Sequence, residues 1–255
     1  MIDASLVAQR FAQAGQSYSA QAVIQKKISQ QLIAYMQQYL PSKTWARNLE
    51  VGCGSGNLSH QFMQDFQYER LYLNDLYADV QQHFSPSSKL EWLIGDIQQL
   101  DFPSQLDLVM SSSALQWMTD LDQLFTQVYR ALQPQGYFCF SSFGVNNLKE
   151  IKQLTGRGLS YLSVDVLHEK LEAAGFELLL LQDQIEPLYF DHPKQVLQHL
   201  KATGVTATAQ QYRWSKQSLF DFYQQYTQFS RLNAQAQPQY PLSYHPIYCI
   251  ARRTS

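Results

Sequence analysis

The sequence predicts an α/β protein, a mostly parallel sheet with helices on both faces. Between residues 45 and 145, short buried-strand runs alternate with helical patterns, which is the mark of βαβ units. No repeat or low-complexity linker interrupts them. The 255 residues, 45% hydrophobic and 13% aromatic, support a full core in one large domain, or one domain with a sizeable insertion.

Residues 4–15 and 22–40 carry helical spacing. In the second stretch Ile24, Ile28, Leu32, Tyr35, Met36 and Tyr39 recur three and four apart, and Pro41 closes the run. "RNLEVG" reads as a short buried strand and "GNLSHQFMQDF" as the helix after it. "RLYLND", "LEWLIGDI" and "LDLVMSS" are the next three strands, and the loop "SALQWMTD" follows. Leu121, Leu124, Phe125, Val128, Tyr129 and Leu132 share one helical face, "QPQG" is a turn, and "YFCFSSF" is a fifth strand. Beyond 145, residues 163–174 form a helix capped by Ser163 with Gly175 past its end. "FELLLLQDQIEPLYF" is one long strand candidate. Helices around 193–203, stopped by Gly204, and 215–229, capped by Ser215, make residues 191–235 an inserted helical module. "YPLSYHPIYCIARR" is the last strand, with Pro246 confined to an edge, a strand end or a bulge.

Net charge is -2 with pI near 6.3, which excludes a global electrostatic footprint for nucleic acid. Cys53, Cys139 and Cys249 are odd in number and far apart, against a disulfide framework and against a Cys-rich metal site. No stretch approaches the roughly 18 apolar residues of a membrane span. The N-terminus lacks a basic region followed by an apolar core, so no signal peptide is expected. The expectation is a cytoplasmic protein with no metal and no membrane or nucleic-acid partner.

"LEVGCGSG" at 49–56 raises the question of a ligand. Gly52 permits a tight exit from its strand, and Gly54 lets a ligand approach bare backbone. A dinucleotide fingerprint needs glycine at the sixth position, where Asn57 stands, and Gly56 comes one residue early. Glu50 is a poor neighbour for pyrophosphate and a good one for an ammonium group, which S-adenosylmethionine carries with its sulfonium. Asp75 ends the second strand, placed to accept from ribose hydroxyls. Asp96 ends the third, placed to accept from an adenine amino group, with Ile97 against the ring. Either aspartate alone reads more readily as a solvated loop residue; the three strand ends together carry the signal.

Together "LEVGCGSG", Asp75, "GDI" and "DLVMSSSALQW" resemble the class I S-adenosylmethionine-dependent methyltransferases. Within that superfamily the chain is most similar to the malonyl-[acyl-carrier protein] O-methyltransferases, which open pimelate synthesis for biotin. "RFAQAGQSYSAQAVIQ", "SALQW", "FSSFGVNNLKEI" and "HLKATGV" carry this closer likeness. The resemblance implies a Rossmann-like, seven-stranded sheet in a single domain over 1–255. Within it lie an N-terminal helical lid over 1–40, a cofactor core over 45–145 and a substrate-side insertion over 191–235. It implies S-adenosyl-L-methionine held by Glu50, Gly52, Cys53, Gly54, Gly56, Asp75, Leu76, Asp96, Ile97, Ser111 and Ser112. Ser112 stands where such proteins often carry Asn, a residue expected to contact cofactor or substrate. Tyr18, Gln25, Gln116, Trp117 and Lys201 are the implied substrate residues, and malonyl-acyl-carrier protein is the implied partner.

Methyl transfer to a phenol or amine needs a general base, whereas a carboxylate is already ionised at pH 7. His60, His83 and His168 read as bland surface or loop residues, and His199 is the least easily dismissed. The absence of a convincing base suits a carboxylate acceptor. Lys149, Arg157, Lys201 and Arg213 are candidates to hold it, Lys201 first. With Lys152, Lys194 and Lys216 they also form a basic second half suited to an acidic carrier protein, although a solvated helical face explains them too. The other readings are a methyltransferase for a small carboxylic acid or phenol, and a catalytically silent domain that binds the cofactor. A nicotinamide dehydrogenase is disfavoured by the missing sixth-position glycine.

Overall fold

A computed structural model describes residues 23–203 and 214–254. The expected helix at 4–15, with Tyr18, Gly204 and Arg213, lies outside the described residues. The first described helix, α1 (Val23–Tyr39), buries Ile24, Gln25, Ile28, Ser29, Leu32, Ile33 and Met36 along one stripe. The alternation expected after it is present: β1 (Thr44–Val51), α2 (Ser59–Asp65), β2 (Gln67–Asp75), β3 (Leu90–Ile94), β4 (Leu106–Ser112), α3 (Leu121–Ala131) and β5 (Leu132–Phe143). Further on come α4 (Lys149–Thr155), α5 (Val164–Ala173), β6 (Phe176–Asp183), β7 (Glu186–Phe190), α6 (Pro193–Ala202), α7 (Lys216–Tyr226), β8 (Arg231–Leu232), β9 (Pro238–Tyr244) and β10 (Pro246–Arg253). No helix among the described residues is long and apolar enough to cross a membrane.

Seven strands form the main sheet in the order β3-β2-β1-β4-β5-β10-β6. The first five are parallel, and β10 runs antiparallel to both β5 and β6. Both faces are buried, and successive side chains divide between them. Leu71, Leu73, Leu108 and Met110 enter one core with α1 and α2, while Tyr72, Val109, Phe138 and Phe140 enter the other beneath α3 and α5. Strand order reverses between β1 and β4, so the crevice at their carboxyl ends is the place where such a sheet takes ligand.

Three sequence expectations are corrected. "FELLLLQDQIEPLYF" is two strands, because the chain changes partner at Gln184 and Ile185: β6 pairs with β10, and β7 pairs with β9 in a separate sheet of order β7-β9-β8. "YPLSYHPIYCIARR" likewise breaks at His245 into β9 and β10. Pro246 opens β10 as a strand end, but β10 is interior rather than an edge. The excursion from the main sheet therefore starts at Glu186 and holds three strands besides the two expected helices. Finally, "QPQG" lies inside β5 rather than in a separate turn: Gln135 takes φ +66°, and the pairing with β4 slips between Leu106 and Leu108, as in a bulge.

Candidate active site

The glycine octet leaves β1 at the crevice. Gly52 has φ +71°, and a Cβ there would lie 2.5 Å from the Ala114 Cβ, so bare backbone lets the loops after β1 and β4 touch. Gly54, at φ +52°, meets nothing within 4 Å and presents open backbone. The Cys53 N–H donates to the Asn74 carbonyl at 2.9 Å, which ties the turn to β2. Beneath it opens a cavity of about 410 Å³ whose walls include Glu50, Asp75 and Asp96, one carboxylate from each of three consecutive strand ends. Parallel pairing in register delivers them together: Glu50 faces Leu73, and Asp75 faces Ile94.

The three carboxylates differ in environment. Glu50 is 1% exposed and accepts a short hydrogen bond from the Ser59 hydroxyl of α2. Burial raises its pKa to about 8 against that hydrogen bond, and the charge of Asp75 adds to the rise. Asp75 accepts from the Gly54 N–H at 2.8 Å and the Leu76 N–H at 2.7 Å. Burial still raises its pKa, with those backbone bonds opposing. Asp96 accepts from the Gln98 N–H at 3.0 Å in a local turn. Gln98 in turn accepts from the Thr119 N–H at 3.0 Å, which joins the loops after β3 and β4 across this end of the cavity.

Glu50, Gly52, Cys53, Gly54, Asp75, Leu76, Asp96, Ile97 and Ser112 all line this cavity, with Gln25 and Trp117. Gly56 and Ser111 do not. A Cβ at Gly56 would lie 2.5 Å from His60 Nε2, so this glycine serves the packing of His60 on Phe84, whose ring centroids are 4.8 Å apart. Ser111 shares the parity of Val109 and faces the opposite core, where its hydroxyl donates to the Val51 carbonyl at 2.8 Å. Ser29 and Ser113, which the sequence reading missed, also line the cavity, as does His83, read there as a bland loop residue. Ser29 was readable: Gln25 and Ser29, four apart, are polar residues on the apolar stripe of α1. Its hydroxyl lies 3.1 Å from Ser112 Oγ, which lies 3.1 Å from Ser141 Oγ, a chain joining α1 to β4 and β5.

A side chamber of about 30 Å³ shares Gln25, Ser113 and Trp117 with the cavity and adds Gln116, Asn147, Tyr161, Thr203 and Tyr244. Among the described residues no lysine or arginine lines either space. Lys201 is exposed on α6 and lines neither, because the buried stripe of that helix runs through Val196, His199 and Leu200. His199 is buried, its Nε2 2.8 Å from the Tyr244 hydroxyl, and burial lowers its pKa. The Tyr161 hydroxyl accepts from Asn147 Nδ2 at 2.8 Å, and burial pushes its pKa up to about 12.

Residues 49–140 match the family described as a methyltransferase domain, a span that runs from the end of β1 into β5. Among solved structures, a putative methyltransferase from Bacillus halodurans superposes with a TM-score of 0.64 at 16% identity, covering 88% of this chain and 99% of that one. The phosphoethanolamine N-methyltransferase 2 of Haemonchus contortus, solved in complex with S-adenosyl-L-methionine, gives a TM-score of 0.52 at 19% identity, covering 89% of this chain and 53% of that one. Such likenesses show the fold. The malonyl-[acyl-carrier protein] O-methyltransferase of Acinetobacter baylyi is 50% identical over 256 residues, covering 100% of this chain and 98% of that protein. With half its positions identical from end to end and the methyltransferase sheet beneath them, the chain belongs to the malonyl-[acyl-carrier protein] O-methyltransferase family.

Proposed function

We propose that the protein transfers a methyl group from S-adenosylmethionine to the free carboxylate of a malonyl group borne on acyl-carrier protein. The observation that supports this most is the pairing of two unlike spaces: a cavity with three strand-end carboxylates opens beside an uncharged chamber in which Phe143, Leu159 and Trp117 stand among neutral polar side chains. The donor set fits this cofactor. A carboxyl buried as deeply as Glu50 ionises readily only when a cation arrives beside it, and the ammonium end of the cofactor is such a cation. Asp75 keeps a lone pair beyond its bonds from the Gly54, Leu76 and Tyr77 N–H groups for a ribose hydroxyl. Asp96 and Ile97 are set for the adenine amino group and ring. When bound, the cofactor supplies a sulfonium methyl group that a nucleophile takes in line.

The protein's part is to hold the acceptor about 3 Å from that methyl carbon and to keep water away. No proton has to move, since a carboxylate with a reference pKa near 4 is ionised at pH 7. Consistent with this, His199 is engaged with Tyr244 rather than offered to a substrate. Acyl-carrier proteins are strongly acidic. Lys149 and Lys152 on α4, Lys194 and Lys201 on α6, and Lys216 on α7 are all exposed, and α7 packs against both other helices. Among the described residues none of the five makes an ion pair. That basic face supports docking of an acidic carrier.

Mass spectrometry of malonyl-acyl-carrier protein incubated with enzyme and S-adenosylmethionine tests the reading. Addition of one methyl group is the expected result. No addition, alongside clear binding of S-adenosylhomocysteine by calorimetry, would leave a silent cofactor-binding domain instead.

A further inference from the structure

We propose that the hydroxyl of Ser113 is the donor that orients the acceptor carboxylate against the methyl group. The inference rests on the function proposed above and names a residue for its acceptor half. Ser113 lines both the cavity and the chamber, so it stands where the two reactants must meet. Its backbone takes φ +56°, a conformation uncommon for a residue with a side chain. Tertiary bonds hold it there: its N–H is shared between the Ser141 carbonyl at 3.1 Å and Ser141 Oγ at 3.2 Å. Gln116 Nε2 donates to its carbonyl at 2.6 Å. With N–H and C=O both engaged, the hydroxyl is left over: Ser113 Oγ is buried without a hydrogen-bond partner among the described residues. A buried, unpaired hydroxyl on a pinned, strained residue is a feature that a ligand completes.

The chemistry favours a neutral donor at this point. A lone pair of the carboxylate oxygen attacks the methyl carbon, and the carbon–sulfur bond breaks with its electron pair going to sulfur. The products are a neutral ester and a neutral thioether, and no proton is transferred. Charge is annihilated along the path. A lysine or arginine against the carboxylate would stabilise the ion more than the transition state and would slow the step. A hydroxyl directs the oxygen while stabilising it less, and the absence of lysine and arginine from both linings among the described residues fits that economy. Tyr161, whose oxygen accepts from Asn147, keeps its own proton to donate from the far wall.

Three variants at this position test the proposal, each read by kcat and KM on malonyl-acyl-carrier protein and by S-adenosylhomocysteine affinity. Ser113→Ala and Ser113→Gly both remove the hydroxyl, and glycine also relieves the backbone. Both should lose about tenfold or more in kcat/KM, the usual loss for a hydrogen bond to a charged group. Cofactor affinity should change by less than about twofold, which also shows that the variants fold. Ser113→Asn, which tolerates this backbone and restores a donor, should recover most of the lost rate. Unchanged kcat/KM in the alanine variant, recovery by glycine, failure of asparagine to recover any rate, or a tenfold loss of S-adenosylhomocysteine affinity would each overturn the proposal. If the wild-type protein itself leaves malonyl-acyl-carrier protein unmethylated, the function proposed above fails and this inference falls with it.

Discussion

The strand-end cavity and the side chamber share Gln25, Ser113 and Trp117 yet are built in opposite ways. The cavity is acidic, and all of its described walls come from residues 25–119. The chamber is neutral and draws on Asn147, Tyr161, Thr203 and Tyr244, which meet only after the chain has left the main sheet and returned. The contrast follows from what each must hold. A cationic donor calls for carboxylates desolvated before it arrives, whereas an anion about to lose its charge needs direction more than attraction.

The sharpest way to break this contrast is Glu50→Gln. Removing one partner of a buried charge contact should weaken S-adenosylhomocysteine binding by about 100-fold in calorimetry. The same change should stabilise the free protein near neutral pH. Glu50 has a folded pKa of about 8 against an ordinary 4.5, so folding favours its protonated form. Stability is therefore withdrawn as pH climbs from 4.5 to 8, and glutamine escapes that loss. A gain of up to about 4 kcal/mol at pH 7.5, seen as a rise in Tm, should shrink below about 1 kcal/mol at pH 5 and vanish at lower pH. An equal rise at pH 5 would show that burial of the charge is not its cause.

Wild-type affinity for S-adenosylhomocysteine should itself increase between pH 6 and 8, by up to about tenfold per pH unit, and level off above. The glutamine variant should be flat over that range. Gly52→Ala acts at the seam between the regions. Its Cβ would lie 2.5 Å from that of Ala114 at a backbone φ of +71°, so a stability loss of about 1–3 kcal/mol is expected. Cofactor affinity and acceptor KM should worsen together, whereas a change in only one would mean that the loops move independently. Ser29→Ala cuts the serine chain from α1 to β4 and should lower stability by about 1 kcal/mol in a denaturant titration. The smallest effect belongs to Lys201→Ala, about twofold or less in kcat/KM and confined to low salt. A tenfold loss that persists at high salt would put that lysine on the substrate after all.

The acidic region was readable because Glu50, Asp75 and Asp96 lie at or just past the carboxyl ends of three short strand patterns, and a parallel sheet stacks such ends in register. Strand parity carried more than was taken from it. In "LDLVMSSS", Ser112 shares the side of Leu108 and Met110, while Ser111 follows Val109 away from the cavity. Helix parity, likewise, puts Lys201 off the stripe of Val196, His199 and Leu200. Other features were not legible at all. The backbone of Ser113 is fixed by Ser141, 28 positions on, and the duty of Gly56 toward His60 depends on how α2 packs. Gln184 and His245 mark changes of strand partner that apolarity does not show, since β6 and β7 are alike half-buried and β9 and β10 alike buried where they meet.

The interior place of β10 sets an order of assembly. It is synthesised after every other described strand, yet it lies between β5 and β6, both of which remain open edges until it docks. A nascent chain that has emerged only as far as residue 240 already carries every described residue of the strand-end cavity. It still lacks Tyr244, a wall of the acceptor chamber, and the strand that joins β6 to the sheet. The described walls of the larger cavity thus precede the last wall of the chamber along the chain, and the single residue His245 links that wall to the strand that closes the sheet.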